Sequence, residues 1–188
     1  MPVVVPRAHA GRRSSRNEIL EAAERVVRRD GPGGLTIEAV AREARLTKGG
    51  VLYNFPSKDA LVAALGELAL ERFEAASAGH RAALDGQANA TLRALVAAYR
   101  ERRGQEPRLV SAVLAGSAAR PDLLDSWRRA FRRQLAALRA EAQDPSDALV
   151  LWLALGGLML FDTLGLLDLR DDQAEGLVET LDRRAAAA

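Results

Sequence analysis

The stretch that decides the fold runs from Thr36 to Phe55 and reads TIEAVAREARLTKGGVLYNF. Thr36 and Thr47 are both good helix N-caps, because a threonine hydroxyl can accept a hydrogen bond from an unpaired N–H of the first turn. Apolar residues follow Thr36 at helical spacing, and the second cap comes only a few residues after that short helix ends. The pattern predicts two short helices joined by a turn of about three residues, which is the layout of a helix-turn-helix.

The second of these short helices has the chemistry of a DNA-reading helix, whose N-terminal end enters the major groove. Lys48 can donate to guanine O6 or N7, while Thr47 and Tyr53 offer hydroxyls to phosphates. Gly49 and Gly50 cost about 1 kcal/mol each relative to alanine, which indicates a backbone that comes close to a duplex. Taken singly, the glycines fit a simple turn and Lys48 a solvated charge equally well. The predicted inward residues are Ile37, Val40, Val51 and Phe55, and the predicted outward ones are Thr47, Lys48, Tyr53 and Asn54.

More cations and hydroxyls flank this segment. Lys58, at the start of the following helix, can pair with a second phosphate, as can Thr36. Residues 1–15 are predicted to form a flexible basic arm, and Arg12, Arg13 and Arg16 would extend the footprint into an adjacent minor groove. Residues 1–60 carry 11 Lys and Arg against 7 Asp and Glu, a net +4, and the remainder carries 16 against 18, a net −2. This charge distribution predicts a polyanion-binding N-terminal end.

Residues 16–65 resemble the N-terminal domain of the TetR (tetracycline repressor) family, and YNFPSK at residues 53–58 closely matches a hallmark of that family. The resemblance departs at one position: aligned without gaps on FPSK, Leu52 stands where the family usually has its tyrosine, and Tyr53 follows it. The resemblance implies an all-α fold, a DNA-binding domain followed by a ligand-binding and dimerisation domain. The residues it implies at the DNA are Thr36, Thr47, Lys48, Gly49, Tyr53, Asn54 and Lys58.

About nine helices are predicted, with a helix-turn-helix domain over residues 16–60 and a ligand-binding and dimerisation domain over 61–188. Residues 75–86 are rich in small side chains and are predicted to form a loop, and Pro121 is predicted to open the seventh helix. The resemblance implies a small-molecule pocket in the second domain, whose ligand shifts the fourth helix; for each candidate, a plain core role is equally open. The candidate lining residues are Tyr99, Val113, Leu114, Trp127, Phe131, Trp152 and Met159.

The eighth predicted helix, within residues 148–167, is apolar nearly all round, so it is either buried on several sides or inserted in lipid. Asp162 lies inside the stretch and the flanks are acidic, which disfavours membrane insertion. Gly156 and Gly157 would let a second helix approach closely. The resemblance implies that the eighth and ninth helices pair across a two-fold axis. The predicted dimer contacts are Leu149, Trp152, Leu153, Gly156, Gly157, Leu160, Leu177, Val178 and Leu181.

The composition narrows the function classes. The chain of 188 residues has no cysteine and only two histidines, which predicts a cytoplasmic protein without a metal site or cofactor. No nucleophile–base pairing or glycine-rich phosphate loop is present in the sequence, so an enzyme is not expected. The preferred hypothesis is a DNA-binding repressor that a small apolar ligand releases from a palindromic operator. The alternatives are an activator or ligand-independent regulator of the same fold, and a membrane-associated helical adaptor.

Overall fold

The protein is all-helical over residues 15–105 and 107–187, which are the residues that this computed structural model describes. Short 3₁₀ turns at Pro32–Gly34 and Pro121–Leu124 precede α2 and α7. The predicted all-α fold is confirmed for this part of the chain. Its α-helices are α1 (Ser15–Asp30), α2 (Ile37–Ala44), α3 (Lys48–Asn54), α4 (Lys58–Ala83), α5 (Ala90–Arg102), α6 (Pro107–Ser117), α7 (Asp125–Glu141), α8 (Pro145–Leu164) and α9 (Asp171–Ala187).

Helices α1 to α3 and the start of α4 enclose one apolar core, which continues into α6. Leu109 and Val113 of α6 and Leu123 of the second 3₁₀ turn belong to this same core. The almost fully buried carboxylate of Glu24 in α1 accepts hydrogen bonds from the Arg72 guanidinium of α4. The first three helices are therefore fixed to the rest of the chain by packing and by a charge-assisted contact.

Helix α5 lies at the centre of the second half of the molecule. Leu95, Val96 and Tyr99 of this helix belong to one core cluster with Leu155 and Leu158 of α8 and Val178 of α9. The buried Asn89, just before α5, donates through Nδ2 to the Ala185 carbonyl at 3.1 Å. This bond ties the last turns of α9 to the beginning of α5.

Two local predictions are wrong. Residues 75–83 do not form a loop, because α4 continues to Ala83. Alanine is the best helix former, and partners distant in sequence hold the last turns: Arg81 donates to Glu141 at 3.0 Å, and His80 Nε2 lies 2.8 Å from Glu101 Oε2. Pro121 begins a 3₁₀ turn, and α7 itself begins at Asp125.

Candidate nucleic-acid interface

The predicted caps and turn build the helix-turn-helix. Thr36 Oγ1 accepts from the Ala39 N–H at 3.1 Å, and Thr47 Oγ1 accepts from the Gly50 N–H at 3.0 Å. Between the two helices, Arg45 takes the left-handed conformation with φ 57°, and its N–H reaches carbonyls of the last turn of α2. The chain thus ends α2 and starts α3 within the three residues from Arg45 to Thr47.

The inward and outward sides of the two helices follow the sequence pattern. The four apolar residues predicted to point inward, Ile37, Val40, Val51 and Phe55, are all buried in the first core. Tyr53 is 90% exposed. The polar residues are left on the solvent side, and we refer to that side as the outer face. The outer face consists of the exposed residues Thr36, Glu38, Thr47, Lys48, Gly49 and Tyr53.

The tyrosine shift has a structural outcome. Leu52, at the position where the family usually has tyrosine, is half-buried and packs against the first core. The phenol of Tyr53 therefore stands in solvent on the outer face. Asn54 is half-buried instead: its Nδ2 donates to the Gly50 carbonyl at 3.0 Å, and Ser15 Oγ donates to its Oδ1 at 3.4 Å. The Asn54 side chain thus bonds once within α3 and once to the start of α1. Its contact with DNA stays a prediction.

The packing of the described residues does not require the two glycines of α3. A Cβ added at Gly49 would meet only Thr47 Oγ1, at 3.9 Å, and one added at Gly50 would lie 3.4 Å from the same atom. Both are ordinary or loose contacts. Glycine in a helix costs about 1 kcal/mol relative to alanine, and the packing of the described residues does not offset this cost at Gly49.

Lys48 has a partner that sequence reasoning missed. Its Nζ lies 2.6 Å from Glu38 Oε1, although both side chains are more than half exposed. The hydrogen bond from Lys48 is the main reason why the pKa of Glu38 lies below its usual value. Glu38 lies in the first turn of α2, where an acidic residue is favoured in any helix, so its position alone gives no sign of a partner. The missed signal is that a helix-turn-helix brings the first turns of α2 and α3 side by side.

The flanking cations divide into described and undescribed residues. The Arg16 guanidinium lies 4.9 Å from the centre of the Phe55 ring, a cation–π contact that joins α1 to the end of α3. Lys58 is exposed at the start of α4. Next to it, Asp59 pairs with Arg120 at 2.9 Å, which connects the first turn of α4 to the loop after α6. Arg12 and Arg13 lie outside the described residues.

The predicted pocket residues fall into two groups. Val113 is fully buried in the first core, beside Gly66 of α4, and the indole Nε1 of Trp127 lies close to the same glycine. Tyr99, Trp152 and Met159 belong to the cluster around α5 and α8. The Phe131 ring meets Trp152 edge-on at 5.5 Å, and Leu114 is half-buried in α6. The structure does not bring all seven residues together, and the lining stays a prediction.

Cavities occur elsewhere in the described part of the chain. One of about 520 Å³ is lined by Glu24, Val27, Arg28, Gly104, Gln105, Arg108 and Leu109. A smaller one, of about 190 Å³, lies between α4, α5 and α7 and includes Leu95. A polar contact exists within the α5–α8 cluster, where the Tyr99 hydroxyl donates to Asp162 Oδ2 at 3.2 Å. Burial, followed by the Asp162 charge, raises the pKa of Tyr99 to about 12.

Two family models match the chain. Residues 19–65 match "Bacterial regulatory proteins, tetR family", and residues 89–186, more than half of the chain, match "Tetracyclin repressor-like, C-terminal domain". The chain belongs to the TetR family. It is therefore a transcriptional regulator of the type that binds DNA through an N-terminal helix-turn-helix.

Individual TetR relatives agree in sequence and in fold. Over 83 residues the chain is 37% identical to the HTH-type transcriptional regulator BetI of Burkholderia thailandensis, and this match covers 44% of the chain but only 43% of BetI. The multidrug binding protein EbrR, solved with imidazole, has 30% identity and a TM-score of 0.67 over 96% of both chains. The TetR family member SCO1917 of Streptomyces coelicolor A3 has 29% identity and a TM-score of 0.68 over 90% of this chain and 97% of its own. EbrR has also been solved with malachite green, proflavin and ethidium.

Helix α8 of this TetR protein presents a large apolar surface to solvent. Among the described helices it alone is long and apolar enough to cross a membrane, a property that core helices of soluble proteins share. A Cβ added at Gly156 or Gly157 would meet nothing within 4 Å. The exposed apolar side chains of α8 are Leu149, Val150, Leu153, Leu160, Phe161 and Leu164.

The other predicted dimer residues differ in exposure. Leu177 of α9 is exposed, whereas Trp152 and Leu181 are half-buried in the clusters of the single chain. Val178 is only 1% exposed, because it packs with Leu155 and Leu158 inside the protomer. In the single chain this apolar stripe of α9 is covered by α5 and α8, and a role of Val178 at a dimer interface stays a prediction.

Proposed function

We propose that this TetR-family protein is a cytoplasmic homodimeric repressor, which holds a palindromic operator and is released by a small, mostly apolar ligand. The observation that carries the DNA-binding part is the outer face: hydroxyls, a lysine and a bare glycine stand exposed on two capped helices. Two such faces, held about 34 Å apart, would read successive major grooves on one side of a duplex.

Each outer-face residue has a role in this proposal. The Thr47 oxygen accepts from Gly50, so its own O–H can still donate to a phosphate. The exposed phenol of Tyr53 offers a second donor, and Lys58 offers a cation to the neighbouring phosphate. Lys48 offers its ammonium group to acceptors on a base. Gly49 allows the sugar–phosphate wall to lie against the backbone of α3.

Dimerisation is supported by the exposed apolar side chains of α8. A soluble monomer rarely exposes a contiguous apolar surface of this kind, and such a surface marks an interface. Leu153 is 57% exposed in the single chain. Gly156 and Gly157 leave room for a second α8 at close distance. The proposed interface therefore keeps Leu149, Leu153, Gly156, Gly157, Leu160 and Leu177 from the sequence prediction.

The ligand part is supported by the likeness to EbrR over nearly the whole chain. That protein holds four different small molecules in its solved structures. In this chain, the cluster that joins α5 and α8 combines aromatic and thioether side chains with the Tyr99–Asp162 contact. A mostly apolar lining with a few polar groups is what small-molecule sites require.

DNA binding is tested by fluorescence polarisation with labelled duplexes from the region upstream of the gene. We expect a dimer to bind a palindrome, and a Lys48→Ala/Tyr53→Ala double variant to lose most of the affinity without a change in melting temperature. Arg139→Ala removes an exposed cation of α7 and serves as the matched control. Equal binding by the double variant and the control would contradict the assignment of α3 to the duplex.

Ligand release is tested with malachite green as the probe. The chain has two tryptophans, so Trp127→Phe and Trp152→Phe each leave one reporter. We expect malachite green to quench Trp152 more than Trp127 and to lower the affinity for the operator. Quenching with unchanged operator affinity would contradict release by a ligand, and an absence of quenching in both variants would contradict the α5–α8 location for this dye.

A further inference from the structure

We infer that Glu38 and Lys48 act together as one reader of a single base pair, and that Glu38 is a specificity-determining residue. The inference rests on the proposed role of Lys48 at the DNA. It adds a second side chain, from α2, to base recognition that sequence reasoning assigned to α3 alone.

The first observation is the geometry of the pair. Lys48 is the first residue of α3 and Glu38 the second residue of α2, and their charged atoms lie 2.6 Å apart on the outer face. The two side chains are 60% and 62% exposed, so the pair stands in solvent where a duplex would dock. Among the described residues, neither side chain has another charged partner. An exposed ion pair contributes little to folding stability. Stabilising the helix-turn-helix is therefore a weak explanation for this pair.

The second argument is the match between the pair and the edge of a base pair. In a G·C pair, guanine O6 accepts from cytosine N4 across about 2.9 Å, and both groups also face the major groove. An ammonium and a carboxylate at nearly that separation can meet both at once. Lys48 would donate to O6, and Glu38 would accept the second hydrogen of cytosine N4.

This geometry sets an order of preference among the four base pairs. A T·A pair offers the same acceptor and donor, from thymine O4 and adenine N6. Guanine has the additional acceptor N7 beside O6, so G·C on the Lys48 side is preferred to T·A. C·G and A·T place a donor opposite Lys48 and an acceptor opposite Glu38, and both are rejected. Lysine alone could donate to guanine O6 or N7, adenine N7 or thymine O4, so without Glu38 it would distinguish the base pairs poorly.

Glu38 also weakens binding to DNA of the wrong sequence. Non-specific affinity comes from phosphates neutralised by cations, and on such DNA the carboxylate repels the backbone and keeps Lys48 occupied. Without Glu38, Lys48 is free to bind a phosphate at any site. The same residue therefore improves the operator complex and penalises its competitors, which is how specificity is raised without raising affinity in general.

The experiment is selection from a random duplex pool with the full-length protein, followed by binding measurements on the selected operator and on unrelated DNA. For wild type we expect one position per half-site with G·C first and T·A second. For Glu38→Ala we expect this position to lose its preference, of the order of 5- to 150-fold for a good paired contact. On unrelated DNA, the slope of log K against log salt should steepen by about 0.9 per head, since one more phosphate is neutralised.

Two further variants separate the explanations. Lys48→Ala should change the same position of the operator as Glu38→Ala. Glu43→Gln removes a carboxylate of α2 that pairs with Arg25 and Arg29 of α1, so it makes the same change in net charge away from the pair; Glu38→Gln is its matched partner. The variants should keep the wild-type circular dichroism spectrum.

Several outcomes would overturn the inference. If Glu38→Ala selects the wild-type sequence with the wild-type preference, Glu38 reads no base. If Lys48→Ala and Glu38→Ala alter different positions, the two residues do not act on one base pair. If Glu43→Gln steepens the salt dependence as much as Glu38→Gln, net charge alone explains the effect. A wild-type protein that selects no sequence at all would instead overturn the proposed function.

Discussion

Helices α3 and α8 each contain two adjacent glycines that the packing of residues 15–105 and 107–187 does not require. At Gly49 an added Cβ would meet one hydroxyl at 3.9 Å, and at Gly156 it would meet nothing. The residues around them differ completely: Thr47, Lys48 and Tyr53 are polar and exposed, whereas Leu153 and Leu160 are apolar and exposed. An unobstructed glycine alone does not identify a site, because Gly79 and Gly176 are equally open. The comparison teaches that the exposed side chains beside the glycines, polar on α3 and apolar on α8, indicate which kind of partner each helix would meet.

The largest expected effect is on the α8 side. A Leu153→Arg/Leu160→Arg variant places two charges in the proposed interface, so the dimer should dissociate to the 20.2 kDa chain. Operator affinity should then fall by about 10²- to 10⁴-fold, because the two heads are no longer linked. Light scattering after size exclusion gives the mass, and polarisation gives the affinity. Ala118→Arg, in the exposed loop after α6, is the control. A double variant that stays dimeric would contradict the proposed interface on α8.

The second prediction replaces one glycine of each helix by alanine. Gly49→Ala and Gly156→Ala should each raise helix stability by about 1 kcal/mol, since alanine replaces glycine at an unobstructed position. Overpacking by the new methyl group costs about 1–3 kcal/mol where a partner comes close. Gly49→Ala should therefore weaken the operator complex but not the dimer, and Gly156→Ala should weaken the dimer but leave each head intact. Melting curves give the stability, sedimentation gives the dimer, and polarisation gives the operator affinity. The reverse pattern would contradict the proposed partners of both glycine pairs.

A third glycine sharpens the comparison from inside the core. A Cβ added at Gly66 of α4 would lie 2.7 Å from Val113 Cγ2, and Val113 is fully buried. Valine is stiff at χ1 and cannot easily turn aside. Gly66→Ala should therefore destabilise the fold by about 1–2 kcal/mol, opposite in sign to the two surface variants. Urea unfolding gives the free energy, and a more stable Gly66→Ala protein would show that α4 and α6 are less tightly packed.

The smallest effect concerns the two tyrosines. Tyr53 stands in solvent on α3, while Tyr99 is buried and donates to Asp162 of α8. Burial raises the pKa of Tyr99 to about 12, against about 10 in the unfolded chain. The neutral phenol therefore stabilises the fold fully below pH 10, and this contribution is lost as pH rises toward 12. In a Tyr53→Phe protein, tyrosinate absorbance should titrate near 12; a midpoint near 10 would mean that water reaches Tyr99.

The parts of the fold that sequence reasoning predicted correctly are those that local chemistry determines. Thr36 and Thr47 cap their helices because a hydroxyl and an N–H three residues later are enough. The inward position of Val51 and Phe55 follows from helical period alone. Residues 75–83 were misassigned because Glu101 and Glu141 hold those turns from far along the chain.

The candidate sites show the same limit of local sequence patterns. An apolar stripe shows that a helix is covered but not by what, so Val178 could be assigned to a second copy although α5 and α8 of its own chain cover it. Val113 and Tyr99 were predicted as lining of one pocket, yet they lie in different clusters of the single chain. Glu38 was overlooked because its pairing with Lys48 depends on the angle between α2 and α3, which no local pattern specifies.

Helix α4 gives the molecule a mechanical property. It is 26 residues long, so it spans about 39 Å at 1.5 Å per residue. One end carries Lys58 beside the proposed DNA contacts, and the other is held by Arg81 and Glu141. A tilt of about 5° around the far end would move Lys58 by about 3.4 Å, the spacing of successive phosphates along one strand axis. A rigid α4 would therefore turn a small change of angle at its far end into a displacement large enough to put a helix-turn-helix out of register with its half-site, and the α4–α6 packing around Gly66 and Val113 would have to adjust to it.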